Sequence, residues 1–278
     1  MSLVNLKQAI DHVGKTGGAL GAFNVSSWEM AAAIVGAAEE AAFPVVLQAQ
    51  WPFLEYAGAE VAAGLLADLA TRAKVPVVLQ LDHAKAWEQV MACLRAGFSS
   101  VMIDASHLPL AENLRLVAEV VRVAHAMGVT VESELGRLAG VEGDLVVATI
   151  EASFTDPAEA AHFVAETGVD ALAVSVGTVH GPYKGEPKLD FARLEAIALA
   201  TNVPLVLHGA SGLSASALQK GMVLGVRKVN FSTELRAAWL TAMRRQLENP
   251  EADVLPCVRT VESAVKELVA EKIGILKG

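Results

Sequence analysis

Short runs of β-branched and other apolar residues alternate with longer segments rich in Ala, Leu and Glu along the whole chain. Runs this short and this uniformly apolar are typical of strands buried on both faces, and the longer segments have helical composition and spacing. Such an alternation requires parallel strands joined by helical crossovers. We predict eight strands, at residues 19–23, 44–49, 76–82, 100–105, 130–135, 171–176, 204–209 and 226–232.

Eight strand–helix units can form a closed barrel or an open, doubly wound sheet. Closing the sheet removes both of its edges, whereas an open sheet would leave two. We therefore predict an α/β fold, a single-domain (β/α)8 TIM barrel over residues 1–278, since no linker-like or low-complexity tract divides the chain. We predict helices at residues 28–42, 61–73, 86–96, 111–126, 158–166, 191–200 and 233–246, and a short amphipathic helix within residues 1–14.

The composition excludes several classes of protein. Hydrophobic residues make up 53% of the chain and charged residues only 19%, which is enough apolar surface to exclude disorder. The net charge of -9 has the wrong sign for binding nucleic acid or an anionic membrane through the overall field. No stretch approaches the ~20 apolar residues of a membrane helix, and the start lacks a signal-peptide core. With two widely separated cysteines, we expect a cytoplasmic protein without nucleic-acid or membrane partners.

Polar residues at the carboxyl ends of the barrel strands would converge on one mouth. Three of the seven histidines take this position: His83 after the third predicted strand, His180 beyond the sixth and His208 at the end of the seventh. A lone histidine at a strand end is more often a hydrogen-bonded structural residue. Three neutral imidazoles from different strands, however, match a catalytic zinc site that keeps one coordination position open for substrate.

Carboxylates occur at the same level of the predicted barrel. Asp82 precedes His83, Asp104 ends the fourth strand, and Glu132 and Glu134 share one face of the fifth strand. Because buried ionised acids are costly, these residues imply cations, protons or tight hydrogen-bond partners. One of the two glutamates has the alternative role of orienting a ligand histidine.

The ends of the seventh and eighth strands predict a phosphate site. Residues 208–212 (HGASG) and 230–233 (NFST) each end a strand and open a helix. In barrels, loops at these positions commonly bind phosphate through backbone N–H groups, hydroxyls and the positive end of a helix. Helix capping is the alternative for any one of Ser211, Ser214, Ser232 and Thr233, and the paired occurrence favours phosphate.

Five motifs lie in order on successive predicted strands: LDHA, ESELG, GTVHGPYKGEPKLDF, HGASG and VNFSTELR. Together they resemble the class II, metal-dependent ketose-bisphosphate aldolases, which include fructose- and tagatose-bisphosphate aldolases, over nearly the whole chain. The resemblance implies a lyase of carbohydrate metabolism and glycolysis that reversibly cleaves a ketose phosphate to dihydroxyacetone phosphate and an aldehyde. It also implies Zn2+, a monovalent cation such as Na+ or K+, and assembly into a homodimer or homotetramer.

The resemblance implies roles for the residues of the mouth. His83, His180 and His208 would hold the catalytic zinc, and Asp104 with Glu134 would line a neighbouring metal position used when the ion shifts. Asp82 would be the acid/base residue at the substrate hydroxyl. Cleavage between carbons 3 and 4 leaves an enediolate, whose charge a zinc ion can stabilise by several kcal/mol.

The substrate-binding residues follow from the same resemblance. Glu142 matches a mobile proton-transfer carboxylate, and it lies in the longest irregular stretch, residues 136–153, which we predict to be a mobile lid. The residues implied to surround the dihydroxyacetone phosphate moiety are Gly181, Lys184, Gly209, Ala210, Ser211, Asn230, Ser232 and Thr233.

Three positions depart from the family pattern. Ser232 stands where the fructose-bisphosphate enzymes usually carry an acid, which favours the tagatose type. After the second strand a serine-containing turn is replaced by Gln50 and Trp51. The Asp-Pro-Arg segment associated with the distal phosphate is replaced by residues 253–255 (DVL), with Arg259 as its nearest substitute. We therefore expect weak discrimination for a second phosphate.

Two other functions compete with this one. Lys228 lies two residues before Asn230, on the same side of the strand, and would be the nucleophile of a Schiff-base aldolase. The histidines would then have no role. The third alternative is a barrel that binds a sugar phosphate without catalysis, although binding alone does not need a general base such as Asp82.

Overall fold

A closed barrel of parallel strands forms the centre of the molecule. The structure is a computed structural model that describes residues 2–142, 145–147, 154–183 and 185–278, with only the backbone described for residues 139–142 and 145–147. The barrel strands are β1 (Leu20–Asn24), β2 (Val45–Gln50), β3 (Val77–Ala84), β4 (Ser100–Ile103), β5 (Thr130–Leu135), β8 (Ala171–Val174), β10 (Leu205–Leu207) and β11 (Val226–Phe231).

Each barrel strand pairs in parallel with the next one along the chain, and β11 pairs with β1 to close the ring. The predicted (β/α)8 barrel is therefore confirmed, and every predicted strand is present. The observed β4, β8 and β10 are shorter than predicted, and glycines with positive φ, Gly177 at 105° and Gly209 at 63°, follow the last two of these strands.

Helices surround the barrel and follow its strands. Those in the described part of the chain are α1 (Leu6–Gly14), α2 (Trp28–Ala41), α3 (Trp51–Ala57), α4 (Ala59–Arg72), α5 (Trp87–Arg95), α6 (Leu110–Ala126), α7 (Pro157–Thr167), α8 (Phe191–Ala200), α9 (Ala215–Val223), α10 (Thr233–Gln246) and α11 (Val254–Leu276). None of these helices is both long enough and apolar enough to cross a membrane.

Local sequence signals explain where several helices begin. Asn5 and Gln8 form a reciprocal capping box at the start of α1. The side chain of Asp156 caps α7, in which Pro157 takes the first position, where its missing N–H costs nothing. Ser214 caps α9.

Three helices were not among the predicted ones: α3, α9 and α11. The α3 helix begins directly after β2, with Pro52 in its first turn, so there is no intervening turn. The α11 helix packs against α2 and α10. It buries Val261, Val265 and Val269, spaced four residues apart as expected for a single helical stripe.

A small second sheet lies where we predicted an irregular stretch. Strand β6 (Ala139–Glu142) pairs in antiparallel fashion with β7 (Leu145–Val147) and in parallel with β9 (Val179–His180). Residues 136–153 are thus not wholly irregular, because their β-branched run forms a hairpin. The hairpin backbone is attached to the strand that ends in His180, with Gly140 opposite His180.

Candidate active site

His83 owes its orientation to a break in the barrel ladder. The register between β3 and β4 shifts between Leu81 and Ala84, and the His83 backbone has a φ of 49°. A left-handed conformation is uncommon for a residue other than Gly, and bulges of this kind re-aim side chains near active sites. The N–H of Asp104 donates to the carbonyl of Ala84 at 2.7 Å, which holds the distorted backbone.

The three predicted histidines meet at the mouth of the barrel. His83, His180 and His208 are all buried, and one ring nitrogen of each lies within 4.8 Å of the others. Nδ1 of His208 is 3.0 Å from Nε2 of His83. Three buried imidazoles from three strands, with nitrogens facing one point, are a donor set suited to a divalent metal ion.

Two carboxylates border the histidine cluster. Oδ2 of Asp104 lies 3.1 Å from Nδ1 of His83, and Oε2 of Glu134 lies 3.4 Å from Nδ1 of His208. His83, Asp104 and Glu134 form a second group whose ligand atoms lie within 4.8 Å of one another. Burial would raise the pKa of the Asp104 carboxyl, but the hydrogen bond and charge of His83 and the hydrogen bonds of Ser106 lower it below its usual range.

Glu132 orients His208 from the side away from the cluster. Its Oε1 lies 2.9 Å from Nε2 of His208, and its Oε2 lies 2.8 Å from Nζ of Lys228. Against the opposing effect of burial, the Lys228 charge and the His208 hydrogen bond lower the pKa of Glu132 to about 2. Burial in turn lowers the pKa of His208, which favours the neutral imidazole that a metal requires. Of the two predicted roles for this pair of glutamates, Glu132 has the orienting one.

Asp82 accepts hydrogen bonds from four side-chain amides. Asn24 and Gln50 donate to Oδ2 at 2.8 and 3.2 Å, and Gln48 and Asn230 donate to Oδ1 at 3.0 and 3.5 Å. The side chain of Asp82 is fully buried. Both oxygens of the carboxylate are thus fixed by neutral donors, beside His83.

The loops after β9 and β10 are linked through Tyr183. The N–H of Val179 donates to the Tyr183 hydroxyl at 3.2 Å, and this hydroxyl donates to the carbonyl of Gly209 at 2.7 Å. A Cβ at Gly209 would meet the Val179 carbonyl oxygen at 2.4 Å, so no other residue fits there. The predicted HGASG turn therefore requires this glycine for close backbone approach as well as for its positive φ.

The start of α10 offers donors to an anion. The residue before it, Ser232, does not cap the helix with its side chain, and its buried Oγ has no hydrogen-bond partner among the described residues. The Ser211 hydroxyl accepts from the N–H of Glu234 at 3.4 Å. The N–H of Gly212 is taken by the Glu234 carboxylate, so the adjacent turn is only partly available.

A sequence model of the family described as fructose-bisphosphate aldolase class-II matches residues 4–278. The chain belongs to the class II fructose-bisphosphate aldolase family. The YdjI aldolase from Escherichia coli K12 is 35% identical, with a TM-score of 0.88 and 99% of this chain and 97% of that chain covered.

Two further solved structures support this assignment. A provisionally named fructose-1,6-bisphosphate aldolase from Coccidioides immitis is 31% identical, with a TM-score of 0.92 and coverage of 98% and 96%. The fructose-bisphosphate aldolase (Fba) from Campylobacter jejuni is 25% identical, with a TM-score of 0.83 and coverage of 99% and 95%. The resemblance inferred from the five motifs is thereby confirmed.

Family membership makes this class II aldolase a carbon–carbon lyase. Enzymes of this class depend on a metal ion, and the buried histidine cluster is a group that could bind one. The Lys228 side chain, the alternative nucleophile, is fully buried and held by Glu132 and Asn230. A nucleophilic lysine needs a free amine, whereas this one is engaged by a carboxylate and an amide oxygen.

The structure describes the remaining predicted residues of this class II aldolase to different extents. Glu142 ends β6, next to the strand of His180, and only its backbone is described. Lys184 lies outside the described residues. Gly181 follows β9 with a φ of 90°. Arg259 is exposed on α11.

Four residues that hold the site together were not predicted from the sequence: Asn24, Gln48, Gln80 and Tyr183. The sequence does contain a pattern that could have predicted the amides. Polar residues two apart on a strand lie on the same face, and on strands buried on both faces this indicates a face that points into the barrel. Gln48 with Gln50, and Gln80 with Asp82, follow this pattern. Tyr183 gave no such signal, since its partners are backbone groups of two loops.

Proposed function

We propose that this class II aldolase uses zinc to cleave a ketose 1-phosphate or 1,6-bisphosphate of the fructose or tagatose type, reversibly, between carbons 3 and 4. The products are dihydroxyacetone phosphate and an aldehyde. The observation that carries the proposal is the convergence of three buried histidines beside a buried, amide-held carboxylate, Asp82.

The donor set suits zinc. His83, His180 and His208 supply three nitrogens, and the orientation of His208 by Glu132 is typical of histidines that bind metal. Zinc held there would supply a Lewis acid that draws negative charge from the ketose oxygens. Asp104 and Glu134, with His83, would line a neighbouring metal position.

Asp82 acts as the base toward the carbon-4 hydroxyl. Its carboxylate accepts the hydroxyl proton while the bond between carbons 3 and 4 breaks and the aldehyde departs. The four amides fix the carboxylate in place by neutral hydrogen bonds, so its negative charge remains available to the proton. Glu142, on the hairpin beside His180, returns a proton to the three-carbon fragment.

The phosphate of the dihydroxyacetone half binds at the loops that follow β9, β10 and β11. Backbone N–H groups, hydroxyls and the start of α10 favour a dianion there, and the buried Ser232 hydroxyl supports this assignment. A Na+ or K+ ion would accompany the phosphate, in a homodimeric or homotetrameric enzyme. The proposed binding residues are Gly181, Lys184, Gly209, Ala210, Ser211, Asn230, Ser232 and Thr233.

Ser232 and the aldehyde half distinguish this chain from a standard bisphosphate enzyme. Ser232 replaces the usual acid, as in the tagatose type, and Gln50 donates to Asp82 from the position of the usual serine turn. Half-buried Trp51 follows it at the start of α3. The substituent on the aldehyde would therefore meet a large aromatic group and an amide.

Chelation with a coupled assay tests the proposal. A panel of phosphorylated ketoses is incubated with the protein, and dihydroxyacetone phosphate is measured before chelation, after it and after zinc is added back. We expect chelation to abolish cleavage and zinc or cobalt to restore it. Full activity in verified metal-free protein would contradict the proposal, and borohydride trapping of an imine would favour Lys228 as the nucleophile instead.

A further inference from the structure

A closed ring of side-chain hydrogen bonds lies inside the barrel, beneath the histidine cluster. It joins strands β2, β3, β5 and β11, and each member is at most 3% exposed. The six ring members, in order, are Asp82, Gln48, Gln80, Glu132, Lys228 and Asn230.

The ring has two arcs that connect Glu132 to Asp82. On one arc, Gln80 donates to Glu132 at 2.9 Å, and Gln48 donates both to Gln80 at 3.2 Å and to Asp82 at 3.0 Å. On the other arc, Lys228 donates to Glu132 at 2.8 Å and to Asn230 at 2.7 Å. Asn230 closes the ring by donating to Asp82 at 3.5 Å.

The charged members determine which way each amide faces. An ammonium can only donate, so Lys228 holds the oxygen of Asn230 and turns its NH2 group toward Asp82. An ionised carboxylate can only accept, so Glu132 holds the NH2 group of Gln80 and turns its oxygen toward Gln48. Gln48 must then donate, and both arcs present an N–H group to Oδ1 of Asp82.

We propose that Lys228 is a positioning residue that sets the direction of the hydrogen bonds around this ring. Through Asn230 it aims a donor at the base, Asp82, and through Glu132 it holds the acceptor that orients His208. One lysine thereby couples the orientation of the base to that of a metal ligand. This inference rests on the proposed function, because it assigns Asp82 and His208 the roles given there.

Removing Lys228 would free the Asn230 amide to rotate. Its NH2 group would then no longer be fixed against Oδ1 of Asp82, and Glu132 would lose the cation that it contacts. The base would be misplaced and His208 would be held less firmly. Loss of a group that orients a metal ligand typically costs about 10- to 100-fold in metal affinity or activity.

The test compares Lys228→Met with the double variant Lys228→Met/Glu132→Gln and with the control Lys266→Met. Lys266 forms an ion pair with Glu40 on the outside of the barrel, so the control removes a paired lysine far from the ring. Thermal unfolding reports the fold, chelator competition reports zinc affinity of the metal-free protein, and kcat and KM are measured at saturating zinc.

We expect Lys228→Met to lower zinc affinity about 10- to 100-fold and kcat at least about 10-fold, while KM changes less than about 3-fold. The control should match the unmodified chain in zinc affinity, kcat and KM. Unchanged zinc affinity and kcat in a folded Lys228→Met variant would overturn the proposal, even if its melting temperature fell.

The double variant separates positioning from charge balance. It removes both members of the buried ion pair, so it should fold even if Lys228→Met does not. The glutamine that replaces Glu132 would accept from His208 with its oxygen, which should restore much of the zinc affinity. The NH2 group of that glutamine would face the NH2 group of Gln80. The amides of Gln80 and Gln48 would then have to reverse, and Gln48 would turn its oxygen toward Asp82. We expect kcat to stay at least about 10-fold low.

A double variant with wild-type kcat, or one that does not fold, would show that the pair serves charge balance or folding and would overturn the positioning role. Failure of the proposed function has a different signature, namely cleavage by the unmodified chain that survives chelation. An imine trapped on Lys228 by borohydride would overturn both proposals. The zinc affinities do not depend on turnover, so they test the role of Lys228 toward His208 in either case.

Discussion

The site has a strand half, which includes Asp82, Glu132 and Lys228, and a loop half, which includes Tyr183, Gly209 and Ser232, and the two are built differently. On the strands, Asp82, Glu132 and Lys228 are fully buried, and each is held by at least two side-chain hydrogen bonds or ion pairs. On the loops, Ser232 has a buried hydroxyl without a partner among the described residues, and Tyr183 is half-buried. The strand half is thus organised before substrate arrives, whereas the loop half keeps donors for it.

This difference follows from the barrel. Inward-facing strand positions lie in a medium of low polarity, where a charged group must be paired or hydrogen-bonded or it destabilises the fold. At the mouth, the Ser232 hydroxyl has no partner among the described residues, and a substrate could supply one. We therefore expect changes in the strand half to affect turnover and changes in the loop half to affect binding and substrate choice.

The largest effect should come from Asp82→Ala, which removes the base from the strand half. Turnover should fall ~100-fold or more, since a well-placed general base contributes on that scale. The amount of bound zinc should stay at about one ion per chain, because Asp82 is held by amides and is not one of the proposed metal ligands. Asp68→Ala, which breaks an exposed ion pair with Arg72, is the control. Loss of zinc together with the Asp82 side chain would make Asp82 a ligand and refute its role as base.

Glu142→Ala tests whether the hairpin of β6 and β7 contributes to turnover, as the strand half does, or to binding. If Glu142 returns the proton, kcat should fall roughly 10- to 100-fold, while the affinity for a dihydroxyacetone phosphate analogue changes little. Analogue binding is measured by titration, and turnover by release of dihydroxyacetone phosphate. A parallel loss of turnover and affinity would instead assign Glu142 to binding or folding.

The strand half was the more predictable of the two from sequence. Strand alternation alone placed Glu132 on the same face as Glu134, and Lys228 on the same face as Asn230. The partners of these residues come from other strands, and the register between strands is not readable from a local pattern. The pairing of Gln80 with Glu132 could therefore not be predicted.

Local irregularities limited the remaining predictions. The left-handed backbone of His83 depends on one register shift between β3 and β4, which leaves no signature in composition. The hairpin of β6 and β7 was missed because glycines at 136, 140 and 143 suggested a loop. Strand pairing with β9, at a distance in sequence, overrides that local preference.

Substrate choice should be set by the loop half and should show a smaller effect. We expect kcat/KM for a ketose 1,6-bisphosphate to exceed that for the 1-phosphate by less than about 30-fold, because a fully used charge-paired phosphate contact is worth roughly 2 to 5 kcal/mol. The sequence at 253–255 lacks the arginine expected for such a contact, and Arg259 is exposed on α11. A preference above roughly a thousandfold would show that Arg259, Lys184 or a neighbouring subunit binds the distal phosphate.

The smallest effect should come from Tyr183→Phe, which keeps the ring and removes only the hydroxyl that joins the loops at Val179 and Gly209. One half-buried N–H group and one carbonyl lose a partner, at a cost of about 1 kcal/mol, which corresponds to a melting temperature lower by about 2–4 °C. Zinc affinity should not change, whereas affinity for the dihydroxyacetone phosphate analogue should fall a few-fold as the Gly209 turn loosens. Equal losses of zinc and analogue affinity would contradict the separation of the two halves.

The same variant has an expected pH signature. Burial raises the pKa of the Tyr183 phenol above its usual value of 10.0, so the folded chain keeps this proton to higher pH than the unfolded chain does. The resulting stability is fully present below about pH 10 and is lost as the pH rises through the pKa of the folded state. Unfolding measured between about pH 8 and 11 should therefore show a shallower alkaline loss of stability for Tyr183→Phe than for the unmodified chain. Parallel curves would mean that the hydroxyl is as accessible in the folded chain as in the unfolded one, and the link between the two loops would then be too weak to hold the Gly209 turn.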